Sequence, residues 1–320
     1  MKTLKVLAVA AFCSITSFAQ VINNLASYTN VNSGNYFRLN YDNDFFSAKD
    51  EYYTQGIHLE YVHTRLNKFV VNKALLHPGF TTLKYGIGAE HNGYTPSSIS
   101  SDSILYGDRP FAAALYFKFF CIAIDAEHQQ RLSTALSLGV VGSAAGAQQM
   151  QTSIHKWLNN VTPHGWEHQI HNDLILNYEV NYEKKVFSLG NIFLLDAVGM
   201  ARVGTFSDKA GIGTTAMLGF FESPFGAQTG NRRKWSIYAY DRPEYDVVLY
   251  DATLQGGLFN RTSPYTIAAG DISRVTFQNR FGVAASAGNI RVEYFQTYLS
   301  KEFATGTFHK WGGVQLAVGF

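Results

Sequence analysis

From Tyr36 to Tyr61 the chain alternates. Phe37, Leu39 and Tyr41 are separated by Arg38, Asn40 and Asp42, and Ile57, Leu59 and Tyr61 by His58 and Glu60, with a polar stretch between the two runs. A period of two places each set on its own face of a strand, so this segment predicts a β-hairpin with one apolar and one strongly polar face. The polar face carries too many Arg, Asn, Asp, His and Glu side chains for a dry sandwich core. A barrel wall satisfies both faces, with lipid outside and a polar interior.

The same spacing recurs. Leu83–Glu90 sets Leu83, Tyr85, Ile87 and Ala89 against Lys84, Gly86, Gly88 and Glu90. Leu174–Glu183 points Leu174, Leu176, Tyr178, Val180 and Tyr182 outward and Asn177, Glu179, Asn181 and Glu183 inward. Leu132–Val140 alternates against small residues, and Phe111–Ile124 is apolar on both faces but has the length of a strand. Further strands are expected near 191–203, 210–221, 234–255, 273–286, 289–301 and 309–320, with 234–255 long enough to divide. Counting the hairpin, twelve strands result, an even number as a single-chain bacterial barrel requires. The fold class is therefore all-β, a transmembrane antiparallel β-barrel ending on the aromatic Phe320. Gly, Ala and Ser on several inner faces predict a narrow or packed interior.

Residues 147–158 break the pattern. Met150, Ile154, Trp157 and Leu158 fall on one face at helical spacing, and Gln148, Gln151 and His155 form an adjacent polar stripe, which predicts a short α-helix in a loop. With a periplasmic N-terminus, strand order alone brings Asn43, Asp44, Thr54, Gln151 and His155 to the outer end of the barrel.

Composition sharpens this picture. Aromatic residues make up 15% of the chain and charged residues 16%, a balance that fits aromatic girdles and a lipid-facing wall. Residues 1–19 read as a signal peptide, with Lys2 and Lys5 before an apolar run and Ser17-Phe18-Ala19 at the cleavage point, leaving 20–320 as a single outer-membrane barrel domain. Without residues 1–19 the chain has 24 basic and 24 acidic residues, so no charge bias points to nucleic acid. Only Cys121 then remains, placed in an apolar strand as a small hydrophobe. The greasiest stretch, Phe111–Ile124, is interrupted by Lys118 and too short for a helical span.

The runs YDNDFF, DEYYTQG, GDRPFA at 107–112, GAQQMQTSIHKW at 146–157 and WEHQ at 166–169 resemble, in order, the outer-membrane lipid A 3′-O-deacylase family. The resemblance implies a twelve-stranded barrel that hydrolyses a 3′-linked acyl or acyloxyacyl ester of lipid A, with Ca²⁺ as cofactor and a site between barrel wall and loop helix. Carried over by residue, it implies His155 as general base, Asp44 as the main metal ligand with Asn43, and Gln151, Thr54 and Asn43 as orienting groups in catalysis. The expected partners are lipid A or lipopolysaccharide and outer-membrane lipids, for a monomer whose site faces outward.

Other readings of these residues stay open. Asn43 and Asp44 also suit a turn at a strand end, and His155 alone suits the polar face of any helix. Asp108-Arg109-Pro110 reads as an ion pair in a rim turn. His164, His168 and His171 have spacings that admit a transition-metal site, but they are not ligands in the family the chain resembles. The family places a lysine in the loop between strands three and four. Residues 92–107 contain neither Lys nor Arg, leaving Lys84, Arg109 or Lys156 to supply charge near a lipid A phosphate. The alternative function is a non-catalytic barrel, a porin or binding protein that keeps the fold. An outer-membrane phospholipase would require a serine paired with His155, and no motif supplies one.

Overall fold

The computed structural model describes residues 31, 33–47, 51–226 and 234–320, so the signal segment at 1–19 lies outside the described residues. Twelve antiparallel strands form a closed barrel. They are β1 (Tyr36–Asn43), β2 (Tyr52–Val62), β3 (Thr82–Thr95), β4 (Ala112–Asp125), β5 (Gln130–Val141), β6 (Asp173–Leu189), β7 (Phe193–Gly204), β8 (Ser207–Phe220), β9 (Trp235–Asp251), β10 (Val275–Ala287), β11 (Ile290–Leu299) and β12 (His309–Gly319). Each strand pairs with its sequence neighbours, and β1 pairs with β12 from Tyr36↔Gly319 to Asn43↔Gly312, so no edge is left open. The long segment 234–255 holds one strand, β9, followed by a single helical turn over Ala252–Gln255. Among the described residues, no helix is long and apolar enough to cross a membrane.

The two faces of the wall are the reverse of a soluble protein's. Phe37, Leu39, Leu174, Leu176 and Val247 are exposed on the outside, whereas Arg38, Asn40, Asp42, Asn177, Glu179, Asn181 and Glu183 are buried within. In a bilayer the first set meets lipid, which removes the need for a central apolar core.

The interior is packed, as the small inner residues suggest, but charge rather than small size fills it. Arg38 donates to Glu60, Arg131 and Arg242 share Glu183, Arg202 donates to Glu179, and Arg280 and Arg291 share Glu293. A small inner residue can make room for such a charge: a Cβ on Gly211 would meet the Asp246 carboxylate at 1.6 Å. One remaining lumen cavity, among Arg131, Asp196, Thr215 and Tyr240, measures about 60 Å³.

Chain direction puts the start of β1, the end of β12 and the turns 126–129, 190–192 and 288–289 at one end of the barrel, the near end. The long connections 96–111, 142–172 and 252–274 lie at the far end. The Arg109 guanidinium is fixed there by Glu302 and Thr253 rather than by its neighbour Asp108, whose carboxylate accepts from Ser97 and from the Arg109 backbone N–H. Burial alone would lower the Arg109 pKa, but the carboxylates of Glu302 and Asp251 outweigh it and raise the pKa above the ordinary guanidinium value. Arg109 is thus a charged brace between rim loops.

Candidate active site

The site begins where β1 ends. Asn43 continues the outward register of Phe37, Leu39 and Tyr41, so its side chain lies on the lipid side of the wall. Its amide nitrogen donates to the Thr54 carbonyl at 2.5 Å and to the Tyr41 hydroxyl at 3.3 Å, and its oxygen accepts from Phe45 N at 2.7 Å. Asp44 is buried, and its carboxylate accepts from Glu51 N at 2.8 Å across the turn. Both residues therefore serve the turn as well as any chemistry.

The chain returns to Thr54 through two irregularities. Tyr52 takes a left-handed backbone, φ 71°, rare for a bulky residue, and the β2–β3 register shifts between Tyr53 and Gln55. A bulge re-aims a side chain, and here Thr54 Oγ1 meets the loop helix α1 (Ala147–Leu158) instead of the lumen.

Three local features seat α1 on the wall. Gly146, at φ 79°, turns the chain into the helix, and His91 Nε2 donates to the Ala145 carbonyl at 3.0 Å just before it. Gly93 allows the close approach, because a Cβ there would stand 3.2 Å from Thr54 Cγ2 and 3.5 Å from Ala147 Cβ. Asn159, also left-handed, ends the helix.

The face of α1 pressed against the wall is Ala147, Gln151 and His155. This reverses the usual reading of an amphipathic helix. The apolar stripe is not the buried one: Met150 and Ile154 are half-covered, Leu158 is exposed, and Trp157 is 81% exposed. The polar stripe faces inward because its partners are polar: Gln151 meets Thr54 and the Trp166 indole, and His155 meets the Val161 carbonyl. Phe45, 80% exposed, and Val161 extend this apolar rim.

Gln151 is held from both sides. Its amide nitrogen donates to Thr54 Oγ1 at 3.1 Å and its oxygen accepts from the Trp166 indole N–H at 2.7 Å. The amide orientation is thereby fixed, and Thr54 keeps its own hydroxyl proton to donate. One turn along the same face, His155 Nδ1 lies 2.6 Å from the Val161 carbonyl oxygen. A carbonyl only accepts, so in the neutral ring the proton sits on Nδ1 and the lone pair on Nε2.

Asn43, Thr54 and Gln151 thus form one hydrogen-bonded chain, with Asp44 adjoining it in sequence and His155 on the same helix face. Trp166 and the Val161 carbonyl were not singled out for roles by sequence reasoning. Trp166 stood in a matching motif, but its contact with Gln151 is tertiary, and a backbone carbonyl leaves no trace in sequence.

The remaining candidates fall elsewhere. His164 pairs with Asp102, His168 Nε2 with the Asp102 carbonyl and His171 with Thr262. Among the described residues, no group of three or more His, Cys, Asp or Glu side chains is placed to hold a metal. Of the three cations considered for a phosphate, Lys84 donates to the Val31 and Ser33 carbonyls at the near end and Arg109 is engaged with Glu302. Lys156, beside His155, is exposed.

One solved structure has this architecture. LpxR from Salmonella typhimurium superposes with a TM-score of 0.72 at 18% identity, over 89% of this chain and 100% of that one, a likeness of fold. The β domain of the Bordetella autotransporter BrkA gives 0.43 at 9% identity, over 90% and 99% of the two chains. A bacterial polysaccharide outer membrane secretin gives 0.34 at 9%, over 91% and 100%. No curated protein matches the sequence. The family model described as outer membrane protein LpxR, however, matches residues 6–320, the whole barrel included. With that match and a twelve-stranded barrel of the same fold, the chain belongs to the LpxR family of outer membrane proteins.

Proposed function

We propose that this protein hydrolyses a 3′-linked acyl or acyloxyacyl ester of lipid A, with His155 as general base. The observation that carries the reading is the tautomer lock on His155, made on the helix face that also holds Gln151 to Thr54. Of the four connections longer than 15 residues, three (96–111, 142–172 and 252–274) lie at the far end and one (63–81) at the near end, which supports a far end facing outward. The site would then sit on the lipid side of the wall at the level of the outer leaflet, within reach of a lipid A molecule that stays in its membrane. Exposed Phe45, Trp157 and Val161 would lie among its acyl chains.

His155 Nε2 takes a proton from water as that water attacks the ester carbonyl, and the imidazolium then gives it to the sugar oxygen as the acyl C–O bond breaks, so that a free acid and a sugar hydroxyl leave. No serine is needed and no acyl-enzyme forms. The Thr54 hydroxyl and the second N–H of Gln151 would be the donors offered to the reacting oxygen, where charge develops. The Asp44 carboxylate and the amide oxygen of Asn43 are hard oxygen donors, one of them charged. That set suits Ca²⁺ completed by backbone, water and substrate oxygens, and it does not suit a transition metal. When bound there, the cation would polarise the ester carbonyl.

The filled lumen argues against the porin reading. Arg242 with Glu183 and Arg280 with Glu293 stand inside it as buried ion pairs, where a porin would keep a wide polar channel.

Purified protein acting on lipid A in detergent micelles tests the proposal. Ester cleavage should fall at least about 10²-fold in excess EDTA and return with Ca²⁺, whereas full activity in EDTA would remove Asp44 from its metal role. In the same assay Trp166→Phe leaves the buried Gln151 oxygen without its donor, a cost of roughly 1–3 kcal/mol. Cleavage should drop about ten-fold with the barrel intact, and an unchanged rate would show that Gln151 orientation does not matter.

A further inference from the structure

The connection between β2 and β3 is unlike the other turns of the near end. Residues 63–81 form two short 3₁₀ turns, Thr64–Lys68 and Val70–Ala74, that run along the outside of the wall. Leu75 is buried against Cys121, Ala123 and Leu132 on the outer face of β4 and β5. The Tyr178 hydroxyl, on β6, donates to the Ala74 carbonyl at 2.8 Å and accepts from Leu76 N at 3.0 Å, and Thr134 donates to the Leu76 carbonyl at 3.2 Å. The strap thus reaches from β2 to β6 with backbone groups satisfied by outward-facing side chains. Satisfied backbone is what a segment must have to lie against lipid. Its own Phe69, Val70 and Leu76 remain exposed.

Above the strap the wall is hollowed. Ala89 lies between Leu59 and Phe117 in the registers of β2, β3 and β4, and the small side chain between two large ones opens a trough. The trough measures about 280 Å³, is walled by Phe37, Leu59, Tyr61 and Phe117, and is closed at the strap end by Phe69. The strap's own charges have one sign. Residues 62–81 contain Arg65, Lys68 and Lys73 and no Asp or Glu, and all three cations are exposed.

We propose that the strap and trough form a binding site for an anionic phospholipid of the periplasmic leaflet. One acyl chain lies over Ala89, and the headgroup phosphate sits on Arg65 and Lys68. A cationic segment with exposed apolar side chains seats at an interface by both terms together, and anionic headgroups supply the complement. The assignment of leaflet rests on the orientation proposed above; the site itself does not depend on any reaction at His155.

Native mass spectrometry of the detergent-purified barrel, with palmitoyl-oleoyl phosphatidylglycerol or the matching phosphatidylcholine added, tests this. Wild type should retain one phosphatidylglycerol in preference to phosphatidylcholine. R65S combined with K68S should lower phosphatidylglycerol retention about ten-fold and leave phosphatidylcholine unchanged. Ala89→Phe, which fills the trough, should lower retention of both, and heat-modifiable migration verifies that each variant is folded. Equal retention of the two lipids by wild type, no retained lipid, or wild-type retention by the double variant would overturn the proposal. Undiminished retention by Ala89→Phe would overturn the trough as the acyl-chain seat.

Discussion

Replacing His155 with alanine should lower ester hydrolysis by about 10²–10⁴-fold, the range for loss of a positioned general base. The fall should appear in kcat, with KM nearly unchanged, because the imidazole acts on the attacking water more than on the bound acyl chain. The barrel should be unaffected. His155 lies on a helix outside the wall, its hydrogen bond goes to a loop carbonyl, and no strand register depends on it. Heat-modifiable migration should therefore match wild type, which separates a lost base from a lost fold. Wild-type turnover by a folded His155→Ala protein would remove the base from its role.

The second large effect concerns stability. Glu293 is fully buried in the lumen, where it accepts from Arg280 at 2.8 Å, Arg291 at 2.7 Å and Tyr240 at 2.6 Å. Glu293→Ala removes the carboxylate that both guanidiniums share while both stay inside the wall. Breaking a buried ionic group from one side costs roughly 3–5 kcal/mol. Val292→Ala, one residue away, trims a side chain that is half exposed to lipid and should cost far less. Urea unfolding of the two variants in the same detergent should show the Glu293 midpoint well below wild type and the Val292 midpoint near it. Equal midpoints would mean that the lumen charges contribute little to holding the barrel.

The wall is legible because a barrel in lipid writes its two environments into every second residue, as Leu176–Glu183 shows; one step earlier the inward Ile175 joins an apolar cluster at the far end instead. The end of β9 was less so, since the turn over Ala252–Gln255 is capped by Asp251, whose side chain accepts from Thr253 N. Strand order sufficed to place Asn43, Asp44, Thr54, Gln151 and His155 at one end of the molecule. What sequence left obscure is tertiary. Arg109 finds Glu302 across 193 positions, and Trp166 reaches Gln151 through a fold in the loop. The spacing of α1 shows two stripes but not which one meets the wall; it is the polar one, with Trp157 left exposed. Likewise no spacing in the sequence shows that the Asp246 carboxylate of the next strand occupies the space beside Gly211.

The most direct test of the central claim is the mass spectrum of lipid A extracted from cells that make the wild-type protein, set beside the spectrum from cells carrying an empty vector. The account predicts a new lipid A species lighter by one 3′-linked acyl or acyloxyacyl group. Two superimposable spectra, with the barrel folded in the outer membrane, would contradict it.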